Sequence, residues 1–170
     1  SRGLGDVYKR QINAERHIKL LEARHPLMDR AVAVPLQFEV GKNVRGIIIT
    51  GPNTGGKTVA IKTVMLNCIM AQCGLHVTCK HADICMNSSY LCDIGDGQNL
   101  SENLSTFSAH ITNVLEVLSE ANKDSFVIMD ELGSGTDPTE GMGIAIAILE
   151  ELRKSGAIFL VTTHYPEVKE

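Results

Sequence analysis

The sequence predicts an α/β fold with a mostly parallel sheet flanked by helices. Three observations carry that expectation. A glycine-rich loop, Gly51-Pro52-Asn53-Thr54-Gly55-Gly56-Lys57-Thr58, stands between a short β-branched run and a stretch with helical rhythm. Two later runs, Phe126-Val127-Ile128-Met129 and Ala157-Ile158-Phe159-Leu160-Val161-Thr162, are almost unbroken in their apolarity, as strands buried on both faces are. Helix-period segments alternate with these strands, the pattern of a parallel sheet.

A chain of 170 residues suits one domain and is long enough to bury a substantial core. No apolar run approaches the roughly 18 residues of a membrane span, and no basic-then-apolar leader is seen, so a cytoplasmic protein without membrane contact is expected. The net charge of −4 is not that of a surface that grips nucleic acid, which would be basic. Any nucleic-acid grip is therefore expected outside this segment. The five cysteines are odd in number and form no Cys-x-x-Cys pair, so a disulfide framework is not expected. His76, Cys79, His81 and Cys85 crowd together, but their spacing matches no usual zinc-ligand pair, and they read as ordinary thiols and histidines.

Taken in order, Ser1 to Gln11 has no clear period and is set aside as a non-native leader, leaving 12–170 as the domain. Ile12 to Glu22 is a mixed segment, strand or helix. His25-Pro26 reads as a turn, since proline excludes His25 from the helical region. Val34-Pro35-Leu36-Gln37 is extended. Residues just before the first core strand of a nucleotide domain often border the base, which makes His25 and Leu36 candidates for contact with adenine. Phe38 and Val40 alternate into Gly41-Lys42-Asn43, a strand and a hairpin-like turn. Gly46 to Thr50 is a buried strand, and the helix after the loop carries Ile61, Val64, Met65, Ile69 and Met70 on its apolar positions, closing at Cys73-Gly74. Leu75 to Thr78 is a short strand candidate, Lys80 to Asn87 a loop or weak helix, and Ser88 to Ile94 another strand.

Gln98 follows that strand at a place where some ATPases put a residue that senses Mg²⁺ and water; its plain alternative is a solvated loop glutamine. Leu104, Phe107, Ile111, Val114, Leu115 and Leu118 make one apolar helical stripe, with Ser105 at the N-cap. A helix N-terminus also binds anions, so Ser105 is a candidate for a phosphate presented by another subunit. After Phe126 to Met129 come Asp130 and Glu131, at the strand's carboxyl end where ligands of parallel sheets sit. Leu132 to Pro138 reads as a flexible glycine-rich loop. Glu140 to Lys154 is a helix with Gly156 as its stop, and the last strand ends in Thr163-His164-Tyr165-Pro166.

The chemistry implied is that of a nucleoside triphosphate. Glycines let successive N–H groups of the loop face phosphate oxygens, with the positive end of the next helix behind them. Lys57 would neutralise the β- and γ-phosphates, and the Thr58 hydroxyl would ligate Mg²⁺. Asp130 would hold the metal, directly or through water, and Glu131 would orient and deprotonate the attacking water. His164 would reach the γ-phosphate; its plain alternative is a structural histidine.

Together the loop 51–58, Leu104-Ser105-Thr106-Phe107-Ser108, Met129-Asp130-Glu131-Leu132-Gly133-Ser134-Gly135-Thr136 and Thr163-His164-Tyr165 resemble the ATPase domain of the MutS family, over roughly residues 23–170. Thr54 with Thr58, Asp93-Ile94-Gly95-Asp96, His110 and Asp137-Pro138 look like the second bacterial branch, which lacks the mismatch-reading domain. The resemblance implies a P-loop NTPase fold of the ABC type, incomplete at its C-terminus. It implies ATP and Mg²⁺ as ligands, and Ser105 completing the partner's site in a homodimer. It implies catalytic roles for Lys57, Glu131 and His164, a metal role for Asp130, and a DNA (branched or mismatched) or ribosome target. It also implies recombination control, DNA repair or ribosome rescue, and an endonuclease module in the parent protein. Two other functions compete. A transporter-type ABC subunit would carry Leu-Ser-Gly-Gly-Gln where this chain has Leu104-Ser105-Thr106-Phe107-Ser108. A nucleotide-gated binding module could dispense with Glu131.

Overall fold

The computed structural model of the chain describes residues 9–52, 55–94 and 104–169. Its elements are β1 (Lys9–Asn13), β2 (His17–Ala23), β3 (Leu36–Gly41), β4 (Gly46–Thr50), α1 (Gly56–Gln72), β5 (His81–Cys85), β6 (Ser89–Asp93), α2 (Leu104–Glu120), β7 (Ser125–Met129), α3 (Pro138–Ser155), β8 (Ile158–Thr163) and a closing 3-10 turn, Pro166–Lys169. The fold is mixed α/β, as expected. The chain divides into two compact units, one of residues 1–44 and 58–86, the other of 45–57 and 87–170. Among the described residues no helix is long and apolar enough to cross a membrane.

The first unit holds a four-stranded sheet in the order β1-β5-β2-β3. Only β1 and β5 run parallel; β2 is antiparallel to both β5 and β3. This mostly antiparallel sheet departs from the expectation of one mostly parallel sheet. Lys9, Arg10 and Gln11, within the stretch set aside in the sequence, stand in β1. The alternation predicted for β3 is realised, with Phe38 and Val40 buried and Gln37 and Glu39 exposed.

Two local expectations fail here. Lys80 to Asn87 contains β5, the strand between β1 and β2, and not a loop or weak helix. Ala82 and Ile84 fill its buried face, while Asp83 accepts a 2.7 Å hydrogen bond from Asn13 Nδ2. Alanine and aspartate are poor strand formers, and burial overrides them. Leu75 to Thr78 forms no strand; its ends are held outside any ladder, the Leu75 N–H by the Met70 carbonyl at 2.8 Å and the Thr78 carbonyl by the Arg24 N–H at 2.9 Å. The Thr78 N–H donates to Asn67 Oδ1 at 2.8 Å, and Asn67 Nδ2 donates to the Arg24 carbonyl at 3.2 Å. Asn67 is fully buried, and with Thr63 it displaces Met65, Ile69 and Met70 from the innermost face of α1.

The second unit holds a wholly parallel sheet in the order β4-β8-β7-β6. Every residue of β7 and β8 is buried, which is why both read as continuous apolar runs. Val114 and Val117 of α2 and Ala145, Ile148 and Leu152 of α3 pack with Val127, Met129, Phe159 and Val161 into one core. The predicted α2 stripe is shifted. Leu115 is 61% exposed, and the buried line runs through Val114 and Val117. Phe107, Ile111 and Leu115 line an open apolar groove with Ile144 and Ala147 of α3.

Candidate functional site

Because β4, β8 and β7 are parallel neighbours, their carboxyl ends fall on one edge of the second unit's sheet. That edge receives Gly51 after β4, His164 after β8, and Asp130 with Glu131 after β7. Parallel sheets place ligands at this edge.

The loop enters α1 directly, the helix starting at Gly56. Gly51 and Gly55 take positive φ values of 151° and 82°, conformations that favour glycine. Lys57 folds back over its own loop. Its ammonium donates to the Gly51 carbonyl at 2.5 Å and lies 3.5 Å from the Thr163 carbonyl at the end of β8. Pro52 is exposed, and Lys57 and Thr58 are half-buried in the first turn of the helix. Asn53, Thr54 and Gln98 lie outside the described residues.

The two acids differ in their settings. Asp130 is 4% exposed, and its carboxylate accepts the hydroxyl of Thr162. Its N–H donates to the Asp93 carbonyl at 2.9 Å, tying β7 to the end of β6. Glu131 is half-buried and takes φ 52°, a left-handed conformation costing a non-glycine residue about 1 kcal/mol or more. Its N–H donates to Thr162 Oγ1 at 2.8 Å, so the turn that presents its side chain is anchored to β8.

Leu132 to Pro138 is no simple flexible loop. The Leu132 N–H donates to the Thr162 carbonyl at 2.9 Å, and the Thr163 hydroxyl donates to the Leu132 carbonyl at 3.2 Å. Gly133, at φ 78°, lies so close to Gly141 that a Cβ there would meet the Gly141 carbonyl oxygen at 2.1 Å. The segment closes on a helix cap: the Asp137 carboxylate accepts the Glu140 N–H at 3.2 Å, and Pro138 occupies the first turn. The Asp-Pro pair that marked the family branch thus has a local structural reason.

His164 is exposed, its ring 4.1 Å from that of Tyr165. Ser105 falls in the first turn of α2 rather than in the flanking cap position, since the helix has begun at Leu104; its side chain lies outside the described residues. His25 and Leu36 belong to the first unit. His25 is half-buried and accepts the Leu27 N–H at 3.1 Å, and burial, aided by the charge of Lys62, pushes its pKa down.

Sequence reasoning missed three contributors. Thr162 read only as a strand residue, yet it touches both acids. Asp93 and His110 were noticed only as branch markers. Asp93 is 5% exposed, and its carboxylate is met from α2 by Asn113 Nδ2 at 2.7 Å and by His110 Nδ1 at 3.2 Å. Pairing with Asp93 raises the His110 pKa; partial burial opposes this, and the charges of Asp93 and Glu131 reinforce it. His110 and Asn113 are three apart on a helix, hence on one face, and that spacing opposite a strand-end aspartate was the available signal.

With this geometry in view, the chain's family can be stated. Residues 47–170 match the family described as MutS domain V, and the chain belongs to the MutS family. Its relatives place it in the second branch, which lacks the mismatch-recognition domain: it is 49% identical over 159 residues to proteins named Endonuclease MutS2 from Bacillus cytotoxicus, Bacillus mycoides and Bacillus cereus. Each match covers 93% of this chain but 20% of the relative, so the chain spans about a fifth of the length of the relatives it matches.

Proposed function

We propose that this chain is the ATP-binding and ATP-hydrolysing domain, of P-loop ABC type, of a longer MutS-like DNA-binding protein. The observation that carries this reading is the single sheet edge holding Lys57 over the glycine-rich loop, Asp130 and Glu131 at the end of β7, and His164 at the end of β8. Lys57 now donates to two neutral carbonyls, and phosphate oxygens would take their place with stronger, charge-assisted bonds. The N–H groups of residues 51–58 would cradle the phosphates. Glu131 would hold the attacking water and accept its proton, and His164 would sense the γ-phosphate.

The oxygens of Thr58 and Asp130 suit Mg²⁺, a hard cation that takes few protein ligands and completes its shell with phosphate and water. When bound, Mg²⁺ would neutralise charge on the phosphates. Gln98 would join it through water, and His25 and Leu36 would border adenine. Ser105 would complete the site of a second copy in a homodimer, and its place in the first turn of α2 supports contact with an anion.

The whole protein, on this reading, works in the cytoplasm on branched or mismatched DNA or on ribosomes. It would serve recombination control, DNA repair or ribosome rescue, with an endonuclease module beyond residues 12–170. The relatives' name, Endonuclease MutS2, supports the DNA part of this.

ATP turnover measured against protein concentration, with and without Lys57→Ala, tests the domain reading. A specific rate that climbs with concentration and disappears in the variant is expected. A flat rate lost in the variant would leave a self-sufficient monomer and remove Ser105 from the site. Binding and turnover unchanged in Lys57→Ala would overturn the phosphate-loop assignment.

A further inference from the structure

We propose that Thr162 is a positioning residue of the hydrolytic site, one hydroxyl setting both carboxylates. The inference rests on the ATPase reading and adds to it a residue outside its motifs. Thr162 is wholly buried near the end of β8, the strand between β4 and β7. A hydroxyl has one proton to give and lone pairs to receive. Here the proton goes to Asp130 Oδ1, and the Glu131 N–H is received at 2.8 Å.

The two bonds do different things. The first fixes the rotation of the Asp130 carboxylate and commits one of its oxygens, which settles how the group faces a cation. The second holds the backbone of Glu131 in its left-handed conformation, φ 52°, and so sets the direction in which its side chain leaves the strand end. The Thr162 carbonyl adds a third tie by accepting the Leu132 N–H at 2.9 Å. Hydrolysis of a phosphoanhydride depends mainly on positioning and charge stabilisation, so a residue that aims both acids acts on the rate without touching the nucleotide.

Thr162→Val keeps the shape and removes the hydroxyl. In the full chain, kcat for ATP is expected to fall about ten- to a hundredfold while KM stays within about twofold. The Mg²⁺ concentration for half-maximal turnover should rise several-fold. Should the valine variant fail to fold, Thr162→Ser and Thr162→Ala form a second pair that differ by the hydroxyl alone; serine should retain most of the rate and the Mg²⁺ dependence, and alanine should lose both. Nucleotide affinity with and without Mg²⁺ gives a readout independent of turnover, and only the Mg²⁺-dependent part should weaken in the alanine variant.

Serine and alanine variants with equal kcat and equal Mg²⁺ dependence, whatever their melting temperatures, would overturn the proposal and leave Thr162 a packing residue. A wild-type chain that binds no ATP in Mg²⁺ would instead defeat the ATPase reading, and this inference with it.

Discussion

The two sheets of this molecule are built on opposite plans. In β1-β5-β2-β3 the strands run mostly antiparallel, apolar and polar residues alternate, and β2 carries an irregularity between Leu20 and Ala23 where Glu22 takes φ 48°. In β4-β8-β7-β6 all strands are parallel, and β7 and β8 are buried throughout. The parallel plan collects strand ends on one edge, and that edge carries Lys57, Asp130, Glu131 and His164. The mixed plan spreads its strand ends over two edges, and its buried polar groups serve the fold: Asn67 holds Thr78 and Arg24, and Asn13 holds Asp83. Parallelism is thus what brings the residues of the candidate site together.

The sharpest way to break this comparison is to separate rate from stability. Glu131→Gln is expected to slow ATP hydrolysis by about two to four orders of magnitude, the range of a lost general base, while ATP binding and melting temperature hold. Leu20→Ala in the mixed sheet should do the reverse, costing about 2–5 kcal/mol of stability with turnover per folded molecule unchanged, because Leu20 is fully buried in that sheet. Denaturant unfolding beside single-turnover kinetics reads both. Equal turnover in Glu131→Gln would remove Glu131 from the base role.

Smaller effects sharpen the parallel half. A Cβ at Gly141 would meet the Gly133 carbonyl oxygen at 2.2 Å and the Tyr165 hydroxyl at 2.5 Å. Gly141→Ala should therefore cost about 1–3 kcal/mol and, by pushing back the loop after Glu131, lower turnover as well. Gly143 has nothing within 4 Å of its Cβ position, so Gly143→Ala on the same helix should be neutral or slightly stabilising. Asp137→Ala removes the cap of α3 and should cost about 1 kcal/mol by chemical denaturation.

How far the sequence was legible follows the same division. The parallel strands announced themselves, because a strand buried on both faces has no polar positions to blur it; β4 and β7 fall within a residue of their expected bounds. Asp130 and Glu131 could be placed from the sequence because they follow directly on such a strand. β5 was not found, since its buried face consists of Ala82 and Ile84 and its other face carries Asp83, a residue that local propensity assigns to turns. Thr162 was invisible for a different reason. Threonine is at home in any strand, and only the neighbouring strand's register shows that its hydroxyl faces Asp130.

The smallest expected effect is one of sign. His110, beside Asp93 and Glu131 in the second unit, has its pKa raised; His25, half-buried near Lys62 in the first, has its pKa lowered. A histidine whose folded pKa is raised binds its proton more tightly when folded. Its stabilising contribution is complete below the unfolded value of about 6.5 and disappears as pH rises through the higher folded value. A histidine with a lowered folded pKa does the opposite: folding is penalised as pH drops below about 6.5, and the penalty is absent above it. His110→Gln should therefore flatten the stability loss that sets in as pH rises above about 6.5, and His25→Gln the loss that sets in as pH falls below about 6.5. Ring-proton titration by NMR gives each pKa directly. His110 titrating at or below its ordinary value would mean that Asp93 does not hold it charged. The buried Asp93 carboxylate would then depend on Asn113 for its link to α2.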